Sequence, residues 1–198
     1  MPRWIVFDYG EVISRPTRAL PDMAALLGTD PARFEEAYWA ERRDNDAGLS
    51  DADYWRAVAA RLDRELDDSL IHRLTSVDVD GWMSADPDSL SLLEDLHRRE
   101  VPLALLSNAS TTFARAGESK PWARFFDHLL FSGDLRVTKP APEIWRVLLD
   151  TIGAEPAECL FFDDRAENIA GARQAGLHAE LWHTADHARG LLQQQLAA

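Results

Sequence analysis

The stretch Trp4-Ile5-Val6-Phe7-Asp8-Tyr9-Gly10-Glu11-Val12-Ile13 decides the fold. Its four apolar residues run into an acid and then a glycine, the pattern of a buried strand ending in a turn, and the run is too short for a helix. Downstream, from about Ser14 to Ala85, strand signals vanish and helical ones repeat. Asp30-Pro31 opens ARFEEAYWAERR, and Ser50 with Asp53 opens DADYWRAVAARL. A proline in the first helical turn gives up an amide that has no partner there, and a Ser or Asp ahead of it accepts from the orphan amides that remain. After Asp86-Pro87, a further start of this kind, strands return at Leu103 to Leu106, His128 to Phe131, Cys159 to Phe162 and Ala179 to Trp182, among helical segments such as PEIWRVLLDTI and ENIAGARQA. Apolar strands alternating with amphipathic helices predict an α/β protein: a Rossmann-like parallel sheet core from residues 1–13 and 86–198, covered on both faces, with an inserted all-helical unit at 14–85.

The polar residues gather where these strands end. Asp8 follows the first strand, Ser107-Asn108 the second, Asp163-Asp164 the fourth, and Lys139 comes shortly after the third. Ligands of open parallel sheets bind outside the carboxyl ends of the strands, so these endings are expected to converge on one cleft.

Composition narrows the function classes. The 198 residues carry 34 acids against 21 basic residues, net charge -13, which opposes binding to nucleic acid or to an anionic membrane surface. With Cys159 as the single cysteine, no intramolecular disulfide can form and no cysteine-rich zinc site exists. No stretch approaches ~18 consecutive apolar residues, and the N-terminal text turns polar too soon for a signal peptide. The expectation is a soluble cytoplasmic protein. Only Lys120 and Lys139 break a basic set otherwise written as arginine, and Lys139, in its Thr-Lys-Pro context, points to a demand for a compact ammonium; Lys120 reads as a surface residue.

The strings WIVFDYGEVI, LALLSNAS, VTKPAPEIW and CLFFDDRAENIAGARQAGLHA, in this order at strand ends, resemble the haloacid dehalogenase-like superfamily, and the resemblance covers Trp4 to about Trp182. The inserted helical block is similar to that family's helical cap, and the motif forms are similar to its sugar-1-phosphate phosphatase branch. The resemblance implies a Mg2+-dependent phosphatase acting on small phosphate monoesters through an aspartyl-phosphate. Asp8 would be the nucleophile, and Ser107, the amide of Asn108 and Lys139 would hold the phosphate. Asp8, Asp164 and the carbonyl of Gly10 would hold the metal, with Asp163 binding it directly or through water and Asn168 orienting from behind. Electrostatics asks for the same cation: like charges ~4 Å apart repel by roughly 4 kcal/mol at an effective dielectric of ~20, and hard oxygen ligands select Mg2+.

One position departs from the pattern. Most phosphatases of this family carry a second aspartate two residues after the nucleophile as general acid and base; here it is Gly10. The backbone metal contact survives, but proton donation to the leaving group does not, and general acid catalysis is worth ~10²–10⁴-fold. The favoured expectation is a leaving group that needs little protonation, such as a sugar 1-phosphate, an acyl phosphate or an aryl phosphate. Glu11, or a cap residue such as Asp44, Asp46 or His72, could donate instead; for Glu11 the objection is that neighbouring side chains on an extended segment point apart. The alternatives are a metal-independent hydrolase resembling the 2-haloacid dehalogenases, which the Asp163-Asp164 pair opposes, and a catalytically impaired binding protein.

Other features read as structural. His183 and His187, four residues apart, lack a third ligand and read as solvent-facing. Trp39, Trp55 and Trp145 fall within apolar helical patterns and read as core. The run Arg42-Arg43-Asp44-Asn45-Asp46 is a candidate cleft lining, against the ordinary reading of a solvated helix end.

Overall fold

A computed structural model describes residues 2–196; residues 197–198, the end of the expected core, lie outside the described residues. Strand β1 (Trp4–Phe7) is followed by four helices, α1 (Leu20–Leu26), α2 (Pro31–Asp46), α3 (Asp51–Arg61) and α4 (Asp68–Trp82). The chain continues through α5 (Pro87–Arg98), β2 (Leu103–Ser107), α6 (Thr111–Glu118), a 3-10 turn (Pro121–Phe125), β3 (His128–Phe131), the one-turn helix α7 (Ser132–Leu135) and α8 (Pro142–Ile152). It ends with β4 (Cys159–Asp163), α9 (Ala166–Gln174), β5 (His178–Leu181) and α10 (Ala185–Leu196). The five strands form one parallel sheet in the order β3-β2-β1-β4-β5, so the fold is α/β and Rossmann-like, as the sequence predicts.

The strand text is continuously apolar because both faces of the sheet are covered. Alternate residues point to opposite faces. Ile5, Phe7, Leu103, Leu105, Leu160 and Phe162 therefore enter one core cluster, shared with α5 and α10, while Trp4, Val6, Ala104, Leu106 and Phe161 enter another, shared with α8 and α9. The expected helix starts are in place. Asp30 accepts from the amides of Ala32 and Arg33, Ser50 from that of Asp53, and Asp86 from those of Asp88 and Ser89. Each cap is worth about 1 kcal/mol, so Asp30→Ala would fray the start of α2.

Helices α1 to α4 have a core of their own, in which Phe34, Tyr38, Tyr54, Trp55, Val58 and Leu74 pack together. Two adjacent chain crossings join this helical unit to the sheet. Ser14 and Ala85 form an isolated antiparallel bridge there, flanked by Arg15 N–H donating to Ser84 O and Asp86 N–H donating to Ile13 O, each at 2.8 Å. Tyr9 adds a further tie, its hydroxyl donating to the carbonyl of Trp82 at 3.1 Å.

Trp55 and Trp145 are core residues, each 1% exposed, but Trp39 corrects the sequence reading: it is 45% exposed. Its helix α2 buries the Phe34, Ala37 and Tyr38 side, and the neighbouring Trp39 falls toward the cleft. His183 and His187 are exposed, with their rings 5.1 Å apart.

Candidate active site

Strand β1 lies between β2 and β4, where the chain reverses its direction of travel across the sheet. Such a point leaves a crevice at the carboxyl ends of the strands, because the connections on its two sides leave in opposite directions. Here the crevice is a cavity of about 840 Å³ between the sheet and the helical unit. Asp8, Gly10, Ser107, Asn108, Lys139, Asp164 and Asn168 all line it. Asp163, fully buried beneath them, completes the set of site residues singled out in the sequence.

Lys139 is the centre of this arrangement. Its Nζ donates to Asp163 Oδ2 at 2.7 Å and to the carbonyl of Leu106 at 2.7 Å. Its third neighbour is Asp8 Oδ1 at 2.8 Å, an ion-pair contact without hydrogen-bond alignment. Burial alone would drive the ammonium down, but Asp8 and Asp163 outweigh burial and hold its pKa above the usual lysine range. The Lys139 backbone is fixed by Asn108, whose Oδ1 accepts from Lys139 N–H at 2.8 Å and whose Nδ2 donates to Lys139 O at 3.0 Å. The Asn108 side chain is thus engaged, which leaves its backbone amide as the group that the resemblance assigned to phosphate.

Asp163 is held on both oxygens. Oδ1 accepts from Arg165 N–H at 2.8 Å and from Asn168 Nδ2 at 2.9 Å, and Oδ2 accepts from Lys139 as well as from Asn168 Nδ2 at 3.0 Å. Asn168 therefore positions Asp163, while Asp164, the next residue, is half-buried and lines the cleft.

The donor set suits a hard divalent cation. Carboxylate oxygens of Asp8, Asp163 and Asp164 lie within 4.8 Å of one another, and Asp8 Oδ1 is buried without a hydrogen-bond partner. Burial pushes the Asp8 carboxyl up to about 7, against the pull of Lys139 and with further upward pressure from Asp163 and Asp164. Burial, then Asp163 and Glu11, push Asp164 up to about 6. Three crowded acids sharing one ammonium lack positive charge, and a dication among oxygen donors supplies it.

The opposite wall comes from the helical unit and was only partly legible in the sequence. Trp39, Arg42, Arg43, Asp46 and Trp82 face the same cavity as Asp8. The Arg42 to Asp46 run is not a solvated helix end: Arg42, Asn45 and Asp46 are buried, and Arg42 Nε donates to Asp46 Oδ1 at 3.0 Å. A second buried acid, Asp78 on α4, binds the same guanidinium from across the unit, a partnership that periodicity along α2 cannot reveal. Glu11 also lines the cavity and is exposed there; it sits in a turn with φ 54°, so the extended geometry expected for it does not apply. Asp44 and His72, the other expected proton donors, are exposed and do not line the cleft.

The sequence matches the haloacid dehalogenase-like hydrolases over residues 3–176. Among individual proteins, it is 26% identical to a phosphatase of Mycobacterium tuberculosis, MT3486, over 89% of this chain and 85% of that protein. It is 33% identical to the N-acylneuraminate-9-phosphatase of Rattus norvegicus, a match spanning 50% of this chain but only 41% of that enzyme's length. The L-2-haloacid dehalogenase of Xanthobacter autotrophicus shares the fold, with a TM-score of 0.75 at 18% identity over 98% of this chain and 83% of the dehalogenase chain. No helix among the described residues is long and apolar enough to cross a membrane.

Proposed function

The chain belongs to the haloacid dehalogenase-like hydrolases, and from that premise we propose that it is a phosphatase, hydrolysing small phosphate monoesters through an aspartyl-phosphate on Asp8. The observation that carries this reading is the charge arrangement. Lys139 contacts both Asp8 and Asp163 from within the protein, while Asp164 adds a third carboxylate at the cleft. A site for attack at carbon gains nothing from the extra acids, whereas a metal-assisted site for a phosphate dianion uses them. The phosphatase relative that matches over most of its length supports the same choice.

In this reading Asp8 attacks phosphorus, and its bond to phosphorus forms as the ester bond breaks. Lys139 neutralises the nucleophile and the phosphoryl oxygens, while Ser107 Oγ and the amide of Asn108 bind those oxygens at the end of β2. Mg2+, held by Asp8, Asp164 and the Gly10 carbonyl with Asp163 directly or through water, would supply positive charge to the phosphoryl group. Helices α1 to α4 act as a cap that excludes bulk water and selects the leaving group. Trp39 presents an aromatic face to the cleft beside Trp82, which suits a leaving group with a ring, such as a sugar or an aromatic alcohol.

The test is release of inorganic phosphate from p-nitrophenyl phosphate and a panel of sugar phosphates, with Mg2+ and with chelator, for wild type and Asp8→Asn. The expected result is metal-dependent turnover that is lost in Asp8→Asn. Full activity in that variant would remove the nucleophile assignment, and chelator-resistant halide release from 2-haloacids would replace the phosphatase reading with the dehalogenase one.

A further inference from the structure

Gly10 leaves the active site without the side chain that would protonate a leaving group, so any proton must come from elsewhere in the cleft. Four acids besides the metal-site carboxylates come into question by position or sequence: Glu11, Asp44, Asp46 and Glu167. Asp44 does not line the cavity, and Glu11 and Glu167 are exposed, the latter paired with Arg165 at 2.6 Å. Asp46 alone combines burial, at 9% exposure, with a place on the cavity wall.

Its position relative to the phosphate end of the site is fixed by backbone contacts. Ser132 Oγ donates to Asp46 O at 2.6 Å and accepts from Ala109 N–H at 2.9 Å, so one hydroxyl ties the end of α2 to the loop that carries Ser107 and Asn108. Two residues beyond Asp46, Gly48 adopts φ 97°, and a Cβ there would stand 2.8 Å from the carbonyl of Gly133. Only bare backbone allows so close an approach. Asp46 is therefore held against the core rather than carried on a free cap edge.

Its surroundings favour a carboxyl that holds a proton. Arg42 serves two buried acids with one positive charge. Asp78 takes the better share, accepting from Arg42 Nη1 at 2.8 Å on one oxygen and from the Tyr38 hydroxyl at 2.6 Å on the other. Asp46 accepts only from Arg42 Nε, and its second oxygen has no partner among the described residues. It is also the last residue of α2, at the negative end of the helix dipole, which disfavours a carboxylate there. Its charged or titratable neighbours are Arg42 on its own helix, Tyr54 on α3, Asp78 on α4 and Arg165 after β4. The balance raises its pKa: burial acts first, Arg42 opposes it, and Asp78 adds to it.

We propose that Asp46 is the general acid and base of this active site, supplying from the helical unit the proton that position 10 cannot. The proposal rests on the phosphatase reading. As Asp8 bonds to phosphorus and the ester P–O bond breaks, the Asp46 proton passes to the ester oxygen, so the alcohol leaves neutral and Asp46 is left ionised. Water then attacks the aspartyl-phosphate, Asp46 takes a proton from it, and phosphate departs with both acids restored. The leaving group is then not confined to weakly basic ones, in contrast to the expectation drawn from Gly10 alone.

The experiment compares p-nitrophenyl phosphate, whose leaving group needs no proton, with a primary alkyl phosphate, in wild type, Asp46→Asn and Asp46→Glu with Mg2+. In Asp46→Asn the alkyl phosphate is expected to lose ~10²-fold or more in kcat, while the aryl phosphate changes by less than about 10-fold, and Asp46→Glu recovers part of the alkyl rate. Equal losses on both substrates, or no loss on either, would overturn the proposal. The wild-type dependence of rate on leaving-group pKa needs no variant: it is expected to be shallow, and a steep dependence overturns the proposal even if the variants do not fold. Absence of turnover of p-nitrophenyl phosphate by wild type would count against the phosphatase reading itself.

Discussion

Lys139 Nζ donates to Asp163 Oδ2 at 2.7 Å with both side chains fully removed from solvent. A buried ion pair of this kind costs much to desolvate and owes its net effect to geometry, so losing one member is worse than never having had the pair. Lys139→Met strands Asp163 and Asp8 together and is expected to lower stability by about 3–5 kcal/mol, seen in urea melts, and to abolish turnover. Lys139→Arg should not rescue activity, because a single nitrogen makes all three contacts and a planar guanidinium cannot reproduce them.

The acidic cluster gives a readout of metal binding that does not depend on turnover. A cation bound only by the folded protein at ~100 times its dissociation constant adds about 2.7 kcal/mol, or roughly 5–10 °C in Tm for a chain of this size. Mg2+ is expected to raise the melting temperature of wild type by that order and to have little effect on Asp164→Asn. An unchanged melting curve in wild type across a wide Mg2+ range would speak against the site.

Position 10 can be filled. A Cβ built on Gly10 meets only Asp8 Oδ2 at 3.9 Å, an ordinary contact, and the residue does not occupy the left-handed region. Gly10→Asp should therefore fold with little loss, and introduced into Asp46→Asn it should recover alkyl phosphate turnover by at least about 10-fold. Failure to recover while the melting temperature is retained would mean that the new carboxyl does not reach the leaving group.

Trp39 gives a prediction about binding. Nearly half exposed, it contributes little to folding but lines the cleft. Trp39→Ala is expected to raise KM for sugar or aryl phosphates several-fold, an effect of about 1 kcal/mol, with kcat and melting temperature nearly unchanged. An equal rise in KM for a compact alkyl phosphate would remove the stacking role.

Cys159 reports on the sheet. Burial first, then the charge of Glu158, push its thiol up from 9.0 to about 11. A thiol whose pKa is raised by folding stabilises fully below the unfolded value, and the contribution is lost as pH rises from about 9 through about 11. Wild type should lose on the order of 2–3 kcal/mol relative to Cys159→Ala across that window in paired denaturation curves. At pH 8 the native thiol should resist Ellman's reagent and react fully in guanidinium chloride.

The sheet, its helices and the groups at the strand ends are legible in local stretches of sequence. Those features are local: an apolar run of strand length before Asp8, prolines and caps at Asp30 and Asp86, and the Thr-Lys-Pro context of Lys139 are each readable within a few residues. The wall of the cleft that comes from α2 was not readable in this way. Trp39 carries the same apolar text as the buried Trp55, and Asp46 the same acidic text as the exposed Asp44. What separates the members of each pair is which side of its helix meets the rest of the protein. Tertiary packing decides that by placing Asp78 against Arg42 and Ser132 against the end of α2. Burial, and the charge state that follows from it, depend on neighbours distant in the chain, and no reading along a single helix contains them.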